Sequence, residues 1–77
     1  MIKYTLTRKI INIEEFKNVE IFGIKAYKDD EIVFDVDNIS PDKQFVESII
    51  HKLIKHNVSV HHILDVIEDE LFSKIEK

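Results

Sequence analysis

Hydrophobic and polar residues alternate in the first half of the chain, which is typical of β-strands with one buried face. The alternation is strict over residues 2–7, and further strands are predicted over residues 19–27 and 32–37. The polar segment 12–18 is predicted to connect the first two strands. Because short connections favour pairing between consecutive strands, we predict a three-stranded antiparallel meander over residues 1–37.

Gly23, the only glycine of the chain, lies in the middle of the second predicted strand. Glycine inside a strand marks either a bulge or the close approach of another segment, such as a helix or an aromatic ring packed across it. The charged sequence Lys28-Asp29-Asp30-Glu31 follows, and its residues tolerate tight turns. We therefore expect an irregular sheet at Gly23 and a short turn before the third strand.

From Ser40 onwards the hydrophobic period changes to that of a helix, and the first helix is predicted over residues 41–56. Ser40 is predicted as its N-cap, with Pro41 in the first helical position and Asp42 near the positive end of the helix dipole. Asn57 suits the left-handed residue that ends a helix. The apolar side chains form two adjacent rows, Phe45, Ile49, Leu53 and Val46, Ile50, Ile54.

A second helix is predicted over residues 60–76, with Ser59 as its N-cap. Its apolar stripe consists of Val60, Ile63, Leu64, Ile67, Leu71 and Ile75. The very short link between the helices predicts an antiparallel helical hairpin. The chain is therefore predicted to be a single α+β domain over residues 1–77, a βββαα fold with the hairpin packed on one face of the meander.

Composition narrows the classes of function. Of the 77 residues, 44% are hydrophobic and 34% are charged, which is too apolar for a disordered chain. The lack of cysteine excludes disulfides and thiolate chemistry, and the net charge of -4 argues against a generic nucleic-acid binder. Since no run is long enough to span a membrane and no signal peptide opens the chain, we expect a cytoplasmic protein.

Residues that could carry chemistry cluster at the start of the second predicted helix. His61 and His62 lie four and three residues before Asp65, spacings that bring imidazole and carboxylate groups together across one helical turn. Two ligands do not complete a zinc site, so exposed histidines are the simpler interpretation. A metal or small-ligand site at His61, His62 and Asp65 remains an alternative.

Other catalytic arrangements receive no support from the sequence. Asp65, Glu68 and Asp69 form an acidic run, but carboxyls on one solvated helix face share a single environment, unlike a catalytic acid–base pair. No nucleophile motif or phosphate-binding loop is present. We therefore expect neither enzymatic activity nor a cofactor. A lysine-bearing sheet face that binds nucleic acid is a second alternative, although lysine on strands also discourages edge pairing.

The remaining candidate is a protein-binding surface on the second helix. Val66 and Phe72 lie off its apolar stripe and are flanked by charged residues, the anatomy of a modest interface. The predicted partner-binding residues are His62, Asp65, Val66, Asp69 and Phe72. The alternative is that Phe72 folds over the margin of the domain. The partner is unidentified, and a homodimer is an option because the open side of the sheet would leave Val33 and Ile21 uncovered.

Several short motifs of the second half resemble a known set of proteins. They are Asn38-Ile39-Ser40-Pro41-Asp42-Lys43, Val46-Glu47, Asn57, Ser59, His62, Asp65-Val66 and Glu68-Asp69, together with Phe22-Gly23-Ile24 in the second predicted strand. Over residues 20–71 the chain resembles a family of short clostridial-type bacterial proteins of unknown function. Val60 stands where that family usually has proline. The resemblance implies that His62, Asp65 and Asp69 serve a contact rather than folding.

Overall fold

Three antiparallel strands are followed by two helices packed against them, which confirms the predicted βββαα, α+β fold. The computed structural model of the protein describes residues 1–14 and 16–75. The elements are β1 (Ile2–Ile13), β2 (Phe16–Lys28), β3 (Glu31–Ser40), α1 (Lys43–Lys55), a 3-10 turn (Val60–His62) and α2 (Ile63–Ile75). The strands pair in the order β1-β2-β3, so β2 is central and β1 and β3 are the edges.

The β1–β2 hairpin is longer than predicted. The expected polar connection at 12–18 is wrong, because β1 continues to Ile13 and β2 already begins at Phe16. A bulge makes this possible: the pairing shifts within this end of the hairpin, and Asn18 adopts a left-handed φ of 59°. Asparagine tolerates that conformation, and the Asn18 N–H donates to Oδ1 of Asn12 at 3.4 Å. Residue 15 of the predicted connection lies outside the described residues.

The turn between β2 and β3 is as short as the sequence predicts. Asp29 and Asp30 have φ angles of 52° and 67°, and Lys28 pairs with Glu31 across the turn. Two consecutive left-handed residues are typical of the hairpin turn whose twist matches that of the flanking strands.

Gly23 marks both a bulge and a close approach, as its position in the strand indicates. Phe22 pairs with Ser40 and Ile24 with Val36, so β3 advances four residues over a stretch in which β2 advances two. A Cβ on Gly23 would overlap the carbonyl oxygen of Val36 and lie 2.5 Å from Cα of Asp37. The approaching segment is thus the backbone of β3 itself, rather than a helix or an aromatic ring.

The core lies between the sheet and the helices. It is formed by the buried side chains Phe22, Ile24, Ala26, Val46, Ile49, Ile50, Leu53, Ile63 and Ile67. Val33 also packs against this cluster, although the alternation placed it on the open face of the sheet. A second register shift in β3, between the partners of Ala26 and Tyr27, explains the difference. Ile21 is half-buried.

The predicted N-cap of α1 is wrong by two residues. Ser40 pairs with Phe22 as the last residue of β3, which keeps it in the strand, and its Oγ accepts the N–H of Asp42 at 3.1 Å. Asp42 is the N-cap instead, and its Oδ1 accepts the N–H of Phe45 at 3.3 Å. The helix therefore begins at Lys43 rather than at Pro41.

The end of α1 and the start of α2 follow each other closely. Asn57 has the expected left-handed φ of 49°, and Val58 N–H donates to the Leu53 carbonyl, which closes a Schellman motif. The predicted helix 60–76 begins as a 3-10 turn, and its α-helical part starts at Ile63. The Ser59 hydroxyl caps no N–H in the described part of the chain. Residue 76 lies outside the described residues.

Two ion pairs join α1 to α2. Nζ of Lys74 lies 3.3 Å from Oδ2 of Asp42 and 4.2 Å from the centre of the Phe45 ring. Nζ of Lys52 lies 2.8 Å from Oε2 of Glu70. The Phe45 N–H and then Lys74 lower the pKa of Asp42 below its ordinary value of 3.8.

This lowered pKa makes a prediction for Asp42→Asn. Asparagine can still cap a helix but carries no charge, so the variant should unfold at lower urea than wild type at pH 7. The stabilisation by the Asp42 carboxylate is fully present above its unfolded pKa and is lost as the pH falls through the lower folded pKa. The gap between the urea midpoints should therefore narrow below about pH 4.

Urea titrations at pH 7, 5, 4 and 3 measure this gap. Asp69→Asn, which removes an exposed carboxylate that belongs to neither ion pair, is the matched control. A gap for Asp42→Asn that stays constant down to pH 3 would contradict the assignment.

Candidate functional site

The side of α2 that faces away from the core carries the candidate site. Ile63 and Ile67 are buried and fix the orientation of the helix. The outer face of α2 is defined by its exposed residues together with the last residue of the preceding 3-10 turn: Leu64, Asp65, Glu68, Asp69, Phe72 and His62. Two of these are large and apolar: the side chains of Leu64 and Phe72 are 48% and 63% exposed.

Four of the five predicted partner-binding residues, His62, Asp65, Asp69 and Phe72, are exposed on this face. Val66 differs, because it is half-buried and packs against the core. Leu64 is exposed although the sequence placed it in the buried stripe.

The positions of Leu64 and Val66 on α2 explain this exchange. Leu64 follows the buried Ile63 and Val66 precedes the buried Ile67, so the two residues border the buried side of the helix on opposite flanks. A modest rotation of the helix about its axis therefore decides which flank is covered, and the packing of α2 on the rest of the domain sets that rotation.

His62 and Asp65 form a pair at the start of α2. Nδ1 of His62 lies 3.3 Å from Oδ2 of Asp65, and both side chains are exposed, so the pair adds little stability. Within residues 1–14 and 16–75, no three His, Asp or Glu side chains are grouped as a metal ion requires. His61, His62 and Asp65, the residues of the metal alternative, therefore do not form such a group in the described chain, and only His62 and Asp65 lie close together.

The basic residues of the sheet are largely matched by acidic ones. Lys9 lies 3.3 Å from Asp37, and Arg8 forms an ion pair with Glu20. Lys25 pairs in register with Asp35 on the neighbouring strand. A nucleic-acid platform needs unopposed positive charge along the strands, so this geometry gives the second alternative little support.

A groove that the sequence did not reveal runs between β1 and the end of α1. This β1–α1 groove has a volume of about 580 Å³ and is lined by Ile2, Lys3, Tyr4, Leu53, Ile54 and Val58. Ile54 is 60% exposed there, although the helical pattern placed it in an apolar row. Partial burial raises the pKa of Tyr4 above its ordinary value. The exposure of Ile54 depends on how α1 lies relative to the edge of the sheet, and no local sequence pattern indicates that arrangement.

Comparison with known proteins assigns the chain to a family without supplying an activity. Among the described residues, no helix is long and apolar enough to cross a membrane. No curated protein and no solved structure matches the chain. A family model matches residues 1–72, nearly the full length of the chain. The chain belongs to this family, which is described as a family of unknown function, DUF6514.

Proposed function

We propose that this protein is a small, non-catalytic, cytoplasmic interaction or regulatory module that binds a protein partner through the outer face of α2. The observation that carries the proposal is the exposure of Phe72, a residue that is 63% exposed on a helix whose opposite side is buried. Burying such a ring against a partner contributes about 2 kcal/mol. Aromatic residues are also enriched among those that dominate binding energy.

The charges around Phe72 indicate the chemistry of the partner. Asp65, Glu68 and Asp69 lie on the same face, and Lys74, the lysine of α2, is engaged with Asp42. The partner should therefore offer an apolar pocket bordered by Lys or Arg. A second copy that used the same face would bring these carboxylates together, so a different protein fits better than a homodimer through α2.

Phe72→Glu tests the proposal, with Ile32→Glu as the matched control because Ile32 is 55% exposed on β3. Tagged wild type, Phe72→Glu and Ile32→Glu would be used to capture partners from the native cells, and the captured protein would then be purified and titrated by calorimetry. We expect Phe72→Glu to weaken binding about 30-fold and Ile32→Glu to leave it unchanged.

A second set of substitutions addresses the charged rim. Replacing His62, Asp65 and Asp69 together with alanine should weaken binding and reduce its dependence on salt. Unchanged stability together with unchanged partners in this triple variant would count decisively against the proposal. Equal loss of binding in Phe72→Glu and Ile32→Glu would show that the contact is not specific to the outer face of α2.

Three expectations from the sequence belong to this proposal as predictions. They are the lack of catalysis and of a cofactor, the cytoplasmic location, and an origin among clostridial-type bacteria. Calorimetric titration with zinc and nickel addresses the metal alternative, since the His62–Asp65 pair alone predicts no heat at micromolar metal.

A further inference from the structure

The outer edge of β1 is long and regular. β1 pairs with β2 in unbroken register from Ile2 to Ile11, and no strand of the described chain pairs with its other side. Alternate N–H and C=O groups of an edge strand point outward, where they can pair with another extended chain. β1 therefore presents a template for strand addition.

The β1–α1 groove lies directly beside this edge. Lys3 and Tyr4 both line it although neighbouring strand residues point to opposite faces, so the groove reaches the edge of the strand itself. Ile54 and Val58 form its apolar wall on the helical side. A groove between an edge strand and a helix suits an extended peptide, which hydrogen-bonds to the strand and places alternate side chains against the helix.

Two lysines border the apolar groove. Lys3 lines it at the β1 end, where it also borders a separate depression with Asp29 and Asp30. Lys55 bounds a shallower depression that continues from the groove across Ile54. No carboxylate lines the groove or this continuation within the described residues, so in a chain of net charge -4 their lining favours an acidic, apolar ligand.

We propose that the β1–α1 groove binds an extended segment of a partner protein in which acidic and apolar residues alternate, and that this segment adds to β1 as a fourth strand. The acidic side chains lie on the side of the sheet that carries Lys3, and the apolar ones point to the helical side and pack on Ile54 and Val58. This site is separate from the outer face of α2 and does not depend on it.

A second copy of the chain fits this edge less well. β1 carries Lys3, Arg8 and Lys9 and no acidic residue, so pairing β1 with itself would place cations near cations. The acidic edge strand β3 has two register shifts and cannot match the regular edge of β1 over its length.

The probe is an acetylated and amidated peptide of four Val-Glu repeats, and its controls are four Val-Lys repeats and the Val-Glu peptide with N-methylated valines. Titration into ¹⁵N-labelled protein should give saturable shifts along β1 and around Ile54, with a Kd of about 1 mM or below. Amide hydrogen exchange should slow at alternate residues of β1. The Val-Lys and N-methylated peptides should bind at least about five-fold more weakly, because they lack the charge or the strand hydrogen bonds.

Matched variants locate the contact. Lys3→Glu should raise the Kd about five-fold and Ile54→Glu about ten-fold, whereas Ile32→Glu should leave it unchanged, because Ile32 is similarly exposed (55%, against 60% for Ile54) but lies on β3. Phe72→Glu should also bind the peptide normally, which separates this test from that of the α2 face. Absence of saturable shifts, equal binding of the Val-Lys peptide, or β1 protection that rises with protein concentration without peptide would overturn the proposal.

Discussion

Gly23→Ala is expected to lower the free energy of unfolding by about 3 kcal/mol or more, a large effect for the addition of one methyl group. The reason is that the new Cβ would meet backbone atoms, the carbonyl oxygen of Val36 and Cα of Asp37, which cannot rotate away as a side chain could. The whole of β3 would have to move away from β2, and Ser40 and Phe22 would lose their pairing.

Urea denaturation followed by circular dichroism at 25 °C measures this effect. Thr7→Val is the control. Thr7 lies on β1 and pairs with Gly23 of β2, and its buried Oγ1 has no hydrogen-bond partner among the described residues. Valine has nearly the shape of threonine, so this change should be neutral or slightly stabilising. A Gly23→Ala protein as stable as wild type would show that β3 does not cross so close to β2.

Ile49→Ala is expected to cost about 3 kcal/mol, whereas Ile54→Ala in the same helix should cost less than about 1 kcal/mol. Ile49 is 0% exposed in the core, and Ile54 is 60% exposed beside the β1–α1 groove. Both substitutions change helix propensity by the same amount, so the difference between them reports burial. A 77-residue domain has about 4–12 kcal/mol of total stability, and the core variant removes a large share of it.

The same urea titration, with the slope of the transition fixed by wild type, compares the two variants. Equal losses would mean that α1 does not present Ile49 to the sheet and Ile54 to solvent. That result would also remove the basis for the groove, since the exposure of Ile54 is what makes its wall available.

The order of elements was predictable because each half of the chain keeps one hydrophobic period. Alternation over residues 2–7 and the rows at a spacing of four in α1 each place apolar side chains on one face, and only a helix-on-sheet arrangement buries both. Gly23 was informative for a similar reason, since the chain has no other glycine and strands seldom need one.

The boundaries were less predictable because they depend on partners distant in sequence. Ser40 and Asp42 are both good caps, and the choice between them is made by the pairing of Ser40 with Phe22. In the hairpin, the left-handed Asn18 absorbs an extra residue and lets polar residues continue as strands. Local composition therefore does not distinguish a cap at Ser40 from one at Asp42, or a polar connection from a continuing strand.

The candidate site was predictable in part. His62, Asp65, Asp69 and Phe72 face outward as the helical period indicates, because charged residues mark the solvated side of a helix. The exchange of Val66 for Leu64 was not predictable, because the two residues border the buried side of α2 on opposite flanks and tertiary packing decides which flank is covered. The identity of a ligand depends on a second molecule, and no pattern within one chain encodes it.

The irregularity of β3 has a consequence for self-assembly. Extra residues in β3 interrupt its pairing frame at two places, between Val36 and Ser40 and between Ile32 and Phe34. A fibril grows by strand pairing only if every subunit has two sheet edges that can pair, because each added molecule must present a free edge to the next one. In this protein only the β1 edge is regular, so a chain that pairs with β1 leaves no second regular edge, and a fibril cannot extend further.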